Sequence, residues 1–381
     1  MPEPKKIVII GPAHPLRGGG MSTFNERLAK AYADRGDDVE IFSFSLQYPS
    51  ILFPGKSQFT DEPAPEGIRI QSTINSVNPI SWCRTGRKVR KLNPDLVIIR
   101  YWIPFMGPAL GTIARRIRKN KKTKIIAITD NVIPHEHRPG DKAFTRYFLK
   151  AVQGFVTMSQ SVMDDLITFD KKKPKTLCLH PLYDNYGESI GRKEALQLLN
   201  LPEDHKYLLF FGLVRKYKGL DILLKALANE KLSHLPLKLI VAGEFYDDFE
   251  PYRKLVDDLG VYDKVIMNNE FIPNAEVVHY FCAGDLVVQP YKDATQSGVT
   301  QVAYHFDKPM VVSNVGALPE MVPDGKAGYV VNPEPDAIAE AIRKYFDDNM
   351  ELVFTENVKE EKKKYSWDIF LAAIDELAEK I

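Results

Sequence analysis

Two positively charged side chains, three residues apart, stand directly before a predicted helix in the second half of the chain. Arg215 and Lys218 follow Gly212, which comes after the buried-strand pattern of residues 208–211, and the amphipathic pattern of residues 221–227 predicts the helix. A guanidinium offers a planar fork of donors and an ammonium a compact charge, and a helix N-terminus adds free N–H groups. This combination is suited to binding a pyrophosphate.

A second candidate ligand site follows two short apolar runs later in the chain. Residues 285–289 predict a strand, and the polar loop after them ends at Ser297 and Gly298, where a helical pattern begins. Residues 310–312 predict a second strand, followed by the turn-rich residues 313–320. Parallel strands send these loops to one edge of the sheet, which is where ligands bind in open α/β sheets. An ordinary βαβ unit without a ligand is the alternative interpretation.

Three successive glycines, Gly18, Gly19 and Gly20, separate the predicted strand of residues 6–11 from the first helix. Their spacing is not the G-x-G-x-x-G of a dinucleotide site, and the next strand, residues 39–44, ends without an acidic residue to bind a ribose. The pattern therefore argues against NAD. Glycines do allow the backbone to approach a ligand or a facing domain closely.

Polar residues also follow the predicted strand of residues 124–128. Asp130 comes directly after it, and His135 and His137 lie close behind. Asp130 is either a turn residue, as is common at a strand end, or part of a ligand edge. The two histidines have no third histidine or cysteine near them in the sequence, so neither a metal nor another cofactor is expected.

Length and composition indicate a globular protein of two or three domains. The chain has 381 residues, of which 44% are hydrophobic, and its three cysteines are far apart, as expected of reduced thiols. Few apolar residues precede Gly11, which is too short for a signal peptide, and no apolar run is long enough to span a bilayer. We therefore expect a cytoplasmic protein.

The net charge of +1 conceals two oppositely charged halves. Residues 1–180 hold 29 Lys/Arg and 16 Asp/Glu (29 − 16 = +13), whereas residues 181–381 hold 22 and 34 (22 − 34 = −12). The predicted helix of residues 111–120 is strongly basic and follows the aromatic loop of residues 101–105. This pattern indicates either a solvated charged face or peripheral contact with an anionic membrane. Nucleic acid is not favoured, because the aromatic and basic residues are not interleaved.

The strand–loop–helix pattern restarts at Tyr207, so the chain holds two tandem α/β domains. The first is predicted to span residues 1–182 and the second residues 183–364, with the hinge in residues 180–183.

Several motifs, in this order and spacing, resemble those of glycosyltransferase family 4, the group 1 glycosyl transferases of GT-B fold. The resemblance covers nearly the whole chain. It is carried by the Gly18–Gly20 loop, FFGLVRKYKGLDILLKAL at 210–227, VAGE at 241–244, the strand at 284–290, Lys308-Pro309, VGALPEMV at 315–322 and Tyr365-Ser366-Trp367.

The resemblance implies an α/β protein of GT-B fold, with two Rossmann-like domains facing across a cleft and a C-terminal helix, residues 365–381, crossing back to the first domain. The first domain would bind an acceptor and the second a nucleotide-sugar. Arg215 and Lys218 would hold the diphosphate without a metal. The implied donor residues are Gly18, Gly19, Gly20, Gly212, Glu244, Gln296, Ser297, Gly298, Gln301 and Glu320, and the candidate acceptor residues are Arg17, Trp102 and Glu136.

The sequence departs from the family pattern at three places. The two glutamates that members carry before Lys-Pro correspond to Ala294 and Val302, so the nearby Gln296 and Gln301 are expected to bind donor hydroxyls as neutral groups. Leu213 replaces the usual arginine after the loop glycine, and Arg215 is its proposed substitute. Asp130 aligns with the histidine that members often carry as a catalytic residue, with His135 and Glu136 as the nearby alternative.

The resemblance implies a retaining glycosyltransferase that moves a sugar from a nucleotide-diphosphate-sugar to a polysaccharide or lipid-linked acceptor. Its acceptor would lie on an anionic lipid or membrane. Two alternatives remain open at this point. The missing glutamates also fit a catalytically silent protein that binds a sugar nucleotide. A nucleotide-sugar epimerase, which has the same two-domain architecture, is the other alternative.

Overall fold

The computed structural model describes residues 3–17, 20–49, 57–134, 138–294 and 297–381. Within these residues the strands are β1 (Lys6–Ile10), β2 (Asp38–Leu46), β3 (Arg69–Asn75), β4 (Leu96–Tyr101), β5 (Lys124–Thr129), β6 (Gly154–Thr157), β7 (Lys175–Leu177), β8 (Lys206–Phe211), β9 (Leu237–Ala242), β10 (Val265–Asn268), β11 (Leu286–Gln289), β12 (Met310–Ser313) and β13 (Gly328–Val331). The α-helices are α1 (Gly20–Asp34), α2 (Pro79–Leu92), α3 (Gly107–Ile117), α4 (Asp141–Leu149), α5 (Gln160–Phe169), α6 (Arg192–Leu198), α7 (Leu220–Leu227), α8 (Glu250–Asp258), α9 (Val277–Ala283), α10 (Gly298–His305), α11 (Leu318–Met321), α12 (Pro335–Asp347), α13 (Glu351–Glu361) and α14 (Trp367–Glu379).

The chain divides into two compact units. Unit 1 comprises residues 1–181 together with 365–381, and unit 2 comprises residues 182–364. The first crossing therefore lies between Pro181 and Leu182, one residue before the predicted boundary. The chain returns to unit 1 at Tyr365, where the C-terminal helix was predicted to begin.

Unit 1 is a parallel sheet in the order β3-β2-β1-β4-β5-β6-β7, with helices packed against it. The apolar runs of the central strands predict burial on both faces, and every residue of β4 is buried. Alternate strand residues, such as Val97 and Ile99, join the apolar residues of α2, α3, α4 and α5 in one core. The C-terminal helix α14 contacts α1 and the strands β5, β6 and β7.

Unit 2 repeats this plan with a parallel sheet in the order β10-β9-β8-β11-β12-β13. Its core joins the apolar face of α7 to α12 across strand residues such as Leu208 and Val288. The sequence prediction of two tandem, parallel α/β domains is confirmed. None of the helices in the described ranges combines the length and apolar character needed to cross a membrane.

Candidate functional site: the carboxyl edge of the unit 2 sheet

Two loops of unit 2 meet at the carboxyl edge of its sheet, where the strand order reverses. β8 lies between β9 and β11, so the chain turns to opposite sides of β8 in the two halves of the sheet. The loop after β8 touches the loop after β11: the Lys292 N–H donates to the Tyr217 carbonyl oxygen over 2.6 Å. A Cβ placed on Gly219 would lie 2.0 Å from the Pro290 carbonyl oxygen. Ligands of open α/β sheets bind at this kind of crevice.

Lys218 brings a buried ammonium group to this crevice. The residue is 9% exposed, and its Nζ lies 5.6 Å from the centre of the Tyr291 ring. Burial, with the nearby Arg215 charge, lowers the pKa of the ammonium to about 8. No carboxylate of the described residues pairs with it. A buried cation in this setting favours the binding of an anion.

Gly212 lies between the Lys218 ammonium and the first turn of α10. A Cβ on Gly212 would lie 3.2 Å from the Lys218 Nζ and 3.6 Å from Cγ2 of Val299. The ammonium and the start of α10 therefore flank the same glycine. The two sites that the sequence predicted separately, around Lys218 and around Ser297, meet at one place.

The turn after β9 closes this site from the β9 side. The Gly243 backbone, with a φ of +146°, packs so closely that a Cβ on it would lie 2.3 Å from the Gly212 carbonyl oxygen. The Glu244 carbonyl oxygen accepts a hydrogen bond from the Val214 N–H over 2.9 Å, and the Glu244 residue is buried. Gly212 and Glu244, both predicted to bind the donor, thus belong to one cluster.

Arg215 differs from Lys218 in being exposed. Its guanidinium carbon lies 5.0 Å from the centre of the Tyr246 ring, and Tyr246 is held in place by a hydrogen bond from its N–H to the Val214 carbonyl oxygen, over 3.0 Å. An arginine on an aromatic face keeps its N–H groups at the ring edge free to reach a ligand.

The N-terminus of α10 is fixed to the end of β11 by a buried polar network. Ser297 caps the helix by accepting the Thr300 N–H over 3.4 Å, and its hydroxyl donates to Oε1 of Gln289 over 2.5 Å. The Nε2 of Gln289 donates to the Thr300 hydroxyl over 3.1 Å. Tyr291 is also hydrogen-bonded to Ser297. The first N–H groups of α10 have no partner within the helix, and such a helix end is suited to an anion.

Gln301 and Glu320, both predicted to bind the donor, lie in different environments. Gln301 is fully buried in α10, and neither its Oε1 nor its Nε2 has a hydrogen-bond partner within the described part of the chain. Glu320 is exposed in the short helix α11. Ala294 and Val302, which occupy the positions of the family glutamates, are both buried.

Asp130 lies at the carboxyl edge of unit 1 in a buried ion pair with Arg100. The Arg100 Nε and Nη2 each donate to a separate Asp130 oxygen over 2.6 Å. The guanidinium carbon of Arg100 lies 3.9 Å from the centre of the Phe24 ring, and the His180 ring meets the same phenyl group edge-on at 5.0 Å. Burial and the Arg100 charge lower the pKa of His180 to about 3, which keeps it neutral. The two hydrogen bonds from Arg100 fix the orientation of the Asp130 carboxylate.

The aromatic residues predicted as a loop at 101–105 begin at the last residue of β4, and the first two of them belong to the core. Tyr101 and Trp102 are buried in the main apolar cluster of unit 1, and the Trp102 Nε1 donates to the Tyr48 hydroxyl over 2.7 Å. Nonlocal packing therefore removes the Tyr101 and Trp102 rings from any membrane contact, and peripheral attachment itself stays a prediction. Arg17 donates through Nη1 to the Ser57 carbonyl oxygen over 3.1 Å.

Glu26, on α1, is a titratable group that sequence reasoning did not single out. Its Oε1 accepts the His14 N–H over 2.7 Å. Burial raises the pKa of this carboxyl to about 7; the hydrogen bond from the His14 backbone opposes that rise, and the charge of Glu62 adds to it. The carboxyl thus helps to hold the loop that leads to the predicted glycine motif.

Five predicted site residues lie outside the described ranges: Gly18, Gly19, His135, Glu136 and Gln296. Gly20 is the first residue of α1 and has a φ of +32°. Among the described residues, no group of three His, Cys, Asp or Glu side chains is arranged to hold a metal ion.

Two further residues of these sites carry a sequence signal that was overlooked. Arg100 is a single charge inside the apolar run LVIIRY, and Gln289 is a polar residue at the end of the apolar run LVVQ. A polar residue in a fully buried strand needs a partner, so each predicts a buried polar contact at the strand end.

Comparison with known proteins agrees with this division of the chain. The family model for Glycosyltransferase Family 4 matches residues 18–179, and the model for glycosyl transferases group 1 matches residues 191–365. The chain is similar to the D-inositol 3-phosphate glycosyltransferase of Thermobifida fusca, with 28% identity over 341 residues, which are 82% of this chain and 77% of that protein.

Two solved structures share the fold at low sequence identity. The sucrose-phosphate synthase of Thermosynechococcus elongatus has a TM-score of 0.77 at 16% identity, covering 99% of both chains. The Anabaena protein HepE, in complex with UDP, has a TM-score of 0.75 at 16% identity, covering 99% of this chain and 100% of that one. The chain belongs to family 4 of the glycosyltransferases, and its two parallel α/β units are those of a GT-B enzyme.

Proposed function

We propose that this glycosyltransferase moves a sugar from a nucleoside diphosphate sugar to a polysaccharide or lipid-linked acceptor, with retention of anomeric configuration. The observation that carries the proposal is the position of Gly212, between the Lys218 ammonium and the first turn of α10. A diphosphate placed there would meet a cation on one side and helix N–H groups on the other.

Lys218 and Arg215 would stabilise the charge that develops on the departing nucleoside diphosphate. An ammonium that is already desolvated interacts more strongly with a phosphate than one in water, and it needs no reorganisation during the reaction. Arg215 on the Tyr246 ring would add a planar pair of donors. Because two positioned cations provide this charge, we propose that the reaction does not need a divalent metal, and turnover in EDTA should equal turnover in magnesium.

The donor and acceptor classes are proposed from the relatives. HepE was solved with UDP, which supports a uridine diphosphate sugar as the first donor to test. The Thermobifida fusca relative is named for an inositol phosphate, an anionic acceptor. The positive first half of the chain, +13 over residues 1–180 (29 − 16), fits an anionic acceptor as well.

Slow hydrolysis of the donor in the absence of acceptor tests this assignment. UDP-, GDP-, ADP- and dTDP-sugars are first screened for a rise in melting temperature, because a ligand that binds the native state stabilises it. Hydrolysis of the selected donor should then fall by about 100-fold in Lys218→Ala, and less in Arg215→Ala. Lys216→Ala is the matched control, since Lys216 lies between them, is exposed, and uses its backbone N–H to bond Asp247. Equal turnover in all three variants would refute the diphosphate assignment.

A second candidate function, binding of a sugar nucleotide without transfer, is favoured by the absence of the two family glutamates, whose positions hold Ala294 and Val302. UDP binding with no transfer to any acceptor in a lipid extract would support this alternative. Transfer of label from the donor to a lipid or glycan would exclude it.

We also propose peripheral contact with an anionic membrane through helices of unit 1. Residues 79–150 hold 17 Lys/Arg and 4 Asp/Glu, a net charge of 17 − 4 = +13. Ile80, 61% exposed, stands at the start of α2, and α4 exposes Phe144 and Tyr147. The exposed basic residues of α2 are Arg84, Arg87, Lys88 and Lys91. Exposed apolar side chains beside a basic face are typical of an interfacial contact.

A further inference from the structure

A short segment of unit 2 runs along α10 from its first residue to its last. A Cβ on Gly298 would lie 3.0 Å from Cε2 of Tyr183. At the other end, the His305 Nε2 lies 2.8 Å from the Gly187 carbonyl oxygen. Gly298 and His305 are seven residues apart, about two helical turns, and therefore share one face of α10. We call residues 183–187 the strap.

The strap is anchored by two aromatic side chains. Tyr183 is 2% exposed and Tyr186 is 8% exposed, and their ring centres are 6.1 Å apart in an edge-on arrangement. Asp184 and Asn185, between them, are exposed. The strap is thus held by its tyrosines, and of these Tyr183 contacts the first residue of α10.

The helix face along which the strap runs contains an unsatisfied polar group. Gln301 is three residues after Gly298 and four before His305, so it lies on that face. Its buried carboxamide has no hydrogen-bond partner within the described part of the chain. A buried carboxamide without partners lowers the stability of the arrangement that buries it.

The opposite side of α10 is tied to the sheet through Ser297, Thr300 and Gln289. The position of the α10 N-terminus therefore depends on two supports, the end of β11 and the strap. The strap begins at the second residue of unit 2, since the chain enters this unit at Leu182. One residue, Leu182, therefore separates the crossing from the contact of Tyr183 with α10.

We propose that the strap couples the crossing between the units to diphosphate binding at α10, with Tyr183 as the positioning residue. This inference rests on the proposed function, because it takes the α10 N-terminus to be the diphosphate site. Coupling between two sites is reciprocal. A ligand bound at α10 should therefore reduce the mobility of the strap, and a substitution that loosens the strap should lower the affinity for the ligand.

Hydrogen exchange of the full-length protein tests the coupling directly. UDP, with GDP in parallel, should slow amide exchange in residues 212–218 and also in residues 182–187. Protection of residues 212–218 with unchanged exchange in the strap would overturn the inference and leave the proposed function standing. No protection in either segment, with either nucleotide, would overturn both.

Substitution of Tyr183 provides the second test. Tyr183→Leu should raise the Kd for UDP about tenfold and abolish the protection of the strap, whereas Tyr183→Phe, which keeps the ring against Gly298, should bind UDP as the wild type does. Tyr345→Phe is the matched control: Tyr345 is a buried tyrosine elsewhere in unit 2, whose hydroxyl donates to the Asp285 carbonyl oxygen over 3.0 Å. It should lower the melting temperature without changing the Kd. An unchanged Kd in Tyr183→Leu would contradict the coupling.

Discussion

The backbone of Gly316 touches the backbone of Ala294: a Cβ on Gly316, whose φ is +52°, would lie only 1.4 Å from the Ala294 carbonyl oxygen. This contact joins the loop after β12 to the loop after β11. The sequence prediction that these two loops reach the same edge of the sheet is confirmed. The contact also means that position 316 accepts no side chain without movement of the loop that leads to α10.

Replacement of Gly316 should therefore disturb the site more than replacement of a glycine with similar backbone geometry. Gly325 has a φ of +70° with nothing within 4 Å of its added Cβ. Gly325→Ala should cost about 1–2 kcal/mol from the left-handed backbone alone. Gly316→Ala should cost clearly more and reduce nucleotide affinity, as measured by urea unfolding and titration calorimetry. Equal destabilisation by the two variants would contradict the contact.

Removal of the buried Lys218 charge should stabilise the protein while abolishing its ligand site. The folded pKa of about 8 lies below the ordinary 10.5, so the unfolded chain binds more protons between these values. Stability therefore rises with pH across that window, and at pH 7 the buried charge lowers it, by about 1–3 kcal/mol. Lys218→Met should raise the melting temperature at pH 7 and weaken UDP binding at least tenfold.

The same titration predicts the pH dependence of the ligand site. Wild-type UDP affinity should decline as the pH rises through about 8, because Lys218 then loses its charge. This decline should be absent in Lys218→Arg, since arginine stays charged.

A Lys218→Met variant that is less stable than the wild type at pH 7 would contradict the stability prediction, which assigns a destabilising buried cation to Lys218.

Replacement of Asp130 should destabilise unit 1 as well as reduce activity. Asp130→Asn leaves the buried Arg100 guanidinium without its counter-charge, which typically costs about 3–5 kcal/mol. Asp164→Asn, at an exposed position on α5, is the control and should be close to neutral. The double variant Arg100→Met/Asp130→Leu should recover part of the loss. A normal melting temperature in Asp130→Asn would show that the carboxylate does not act through the ion pair.

Glu26 should make the stability of the protein fall as the pH rises. Its folded pKa of about 7 is above the ordinary 4.5. Its favourable contribution is therefore complete below pH 4.5 and is lost as the pH rises through 7. Glu26→Gln keeps the acceptor for the His14 N–H and removes the titration, so its gain in melting temperature over the wild type should be larger at pH 8 than at pH 5. Glu66→Gln, at an exposed position, should show no such pH dependence.

The basic face of unit 1 predicts binding to anionic vesicles. The triple variant Arg84→Ala, Arg87→Ala, Lys91→Ala should lose about 3 kcal/mol of binding to phosphatidylserine-containing vesicles in sedimentation, at about 1 kcal/mol for each charge near the surface. A control with the same change in net charge replaces the exposed lysines Lys193, Lys254 and Lys363 of unit 2 with alanine. Equal losses in the two triple variants would indicate a nonspecific effect of net charge.

Local patterns were sufficient to predict most elements of the fold. Strand and helix assignments rest on periodicity over a few residues, so the sequence predicts a strand at residues 310–312, which the structure confirms and extends to Ser313. The order of the two parallel domains followed from the repeated strand–loop–helix pattern. The position of Lys218 near a helix N-terminus was likewise visible in the sequence.

Side-chain environments could not be predicted in the same way, because they depend on contacts between residues far apart in the chain. The sequence predicts that Tyr101 and Trp102 belong to a loop, but the core of unit 1 encloses both side chains. The sequence predicts Asp130 as a turn residue or a catalytic residue, but no local pattern could show that its carboxylate pairs with Arg100, thirty residues earlier.

The sequence by itself determined that the chain forms two parallel α/β domains and that Arg215 and Lys218 stand before a helix. Tertiary structure decided that the Lys218 ammonium is buried, that Gly212 lies between it and α10, and that the strap runs along α10. The physical reason is the range of the forces: periodicity and helix ends are local, whereas burial and close backbone approach arise only when distant strands pack together.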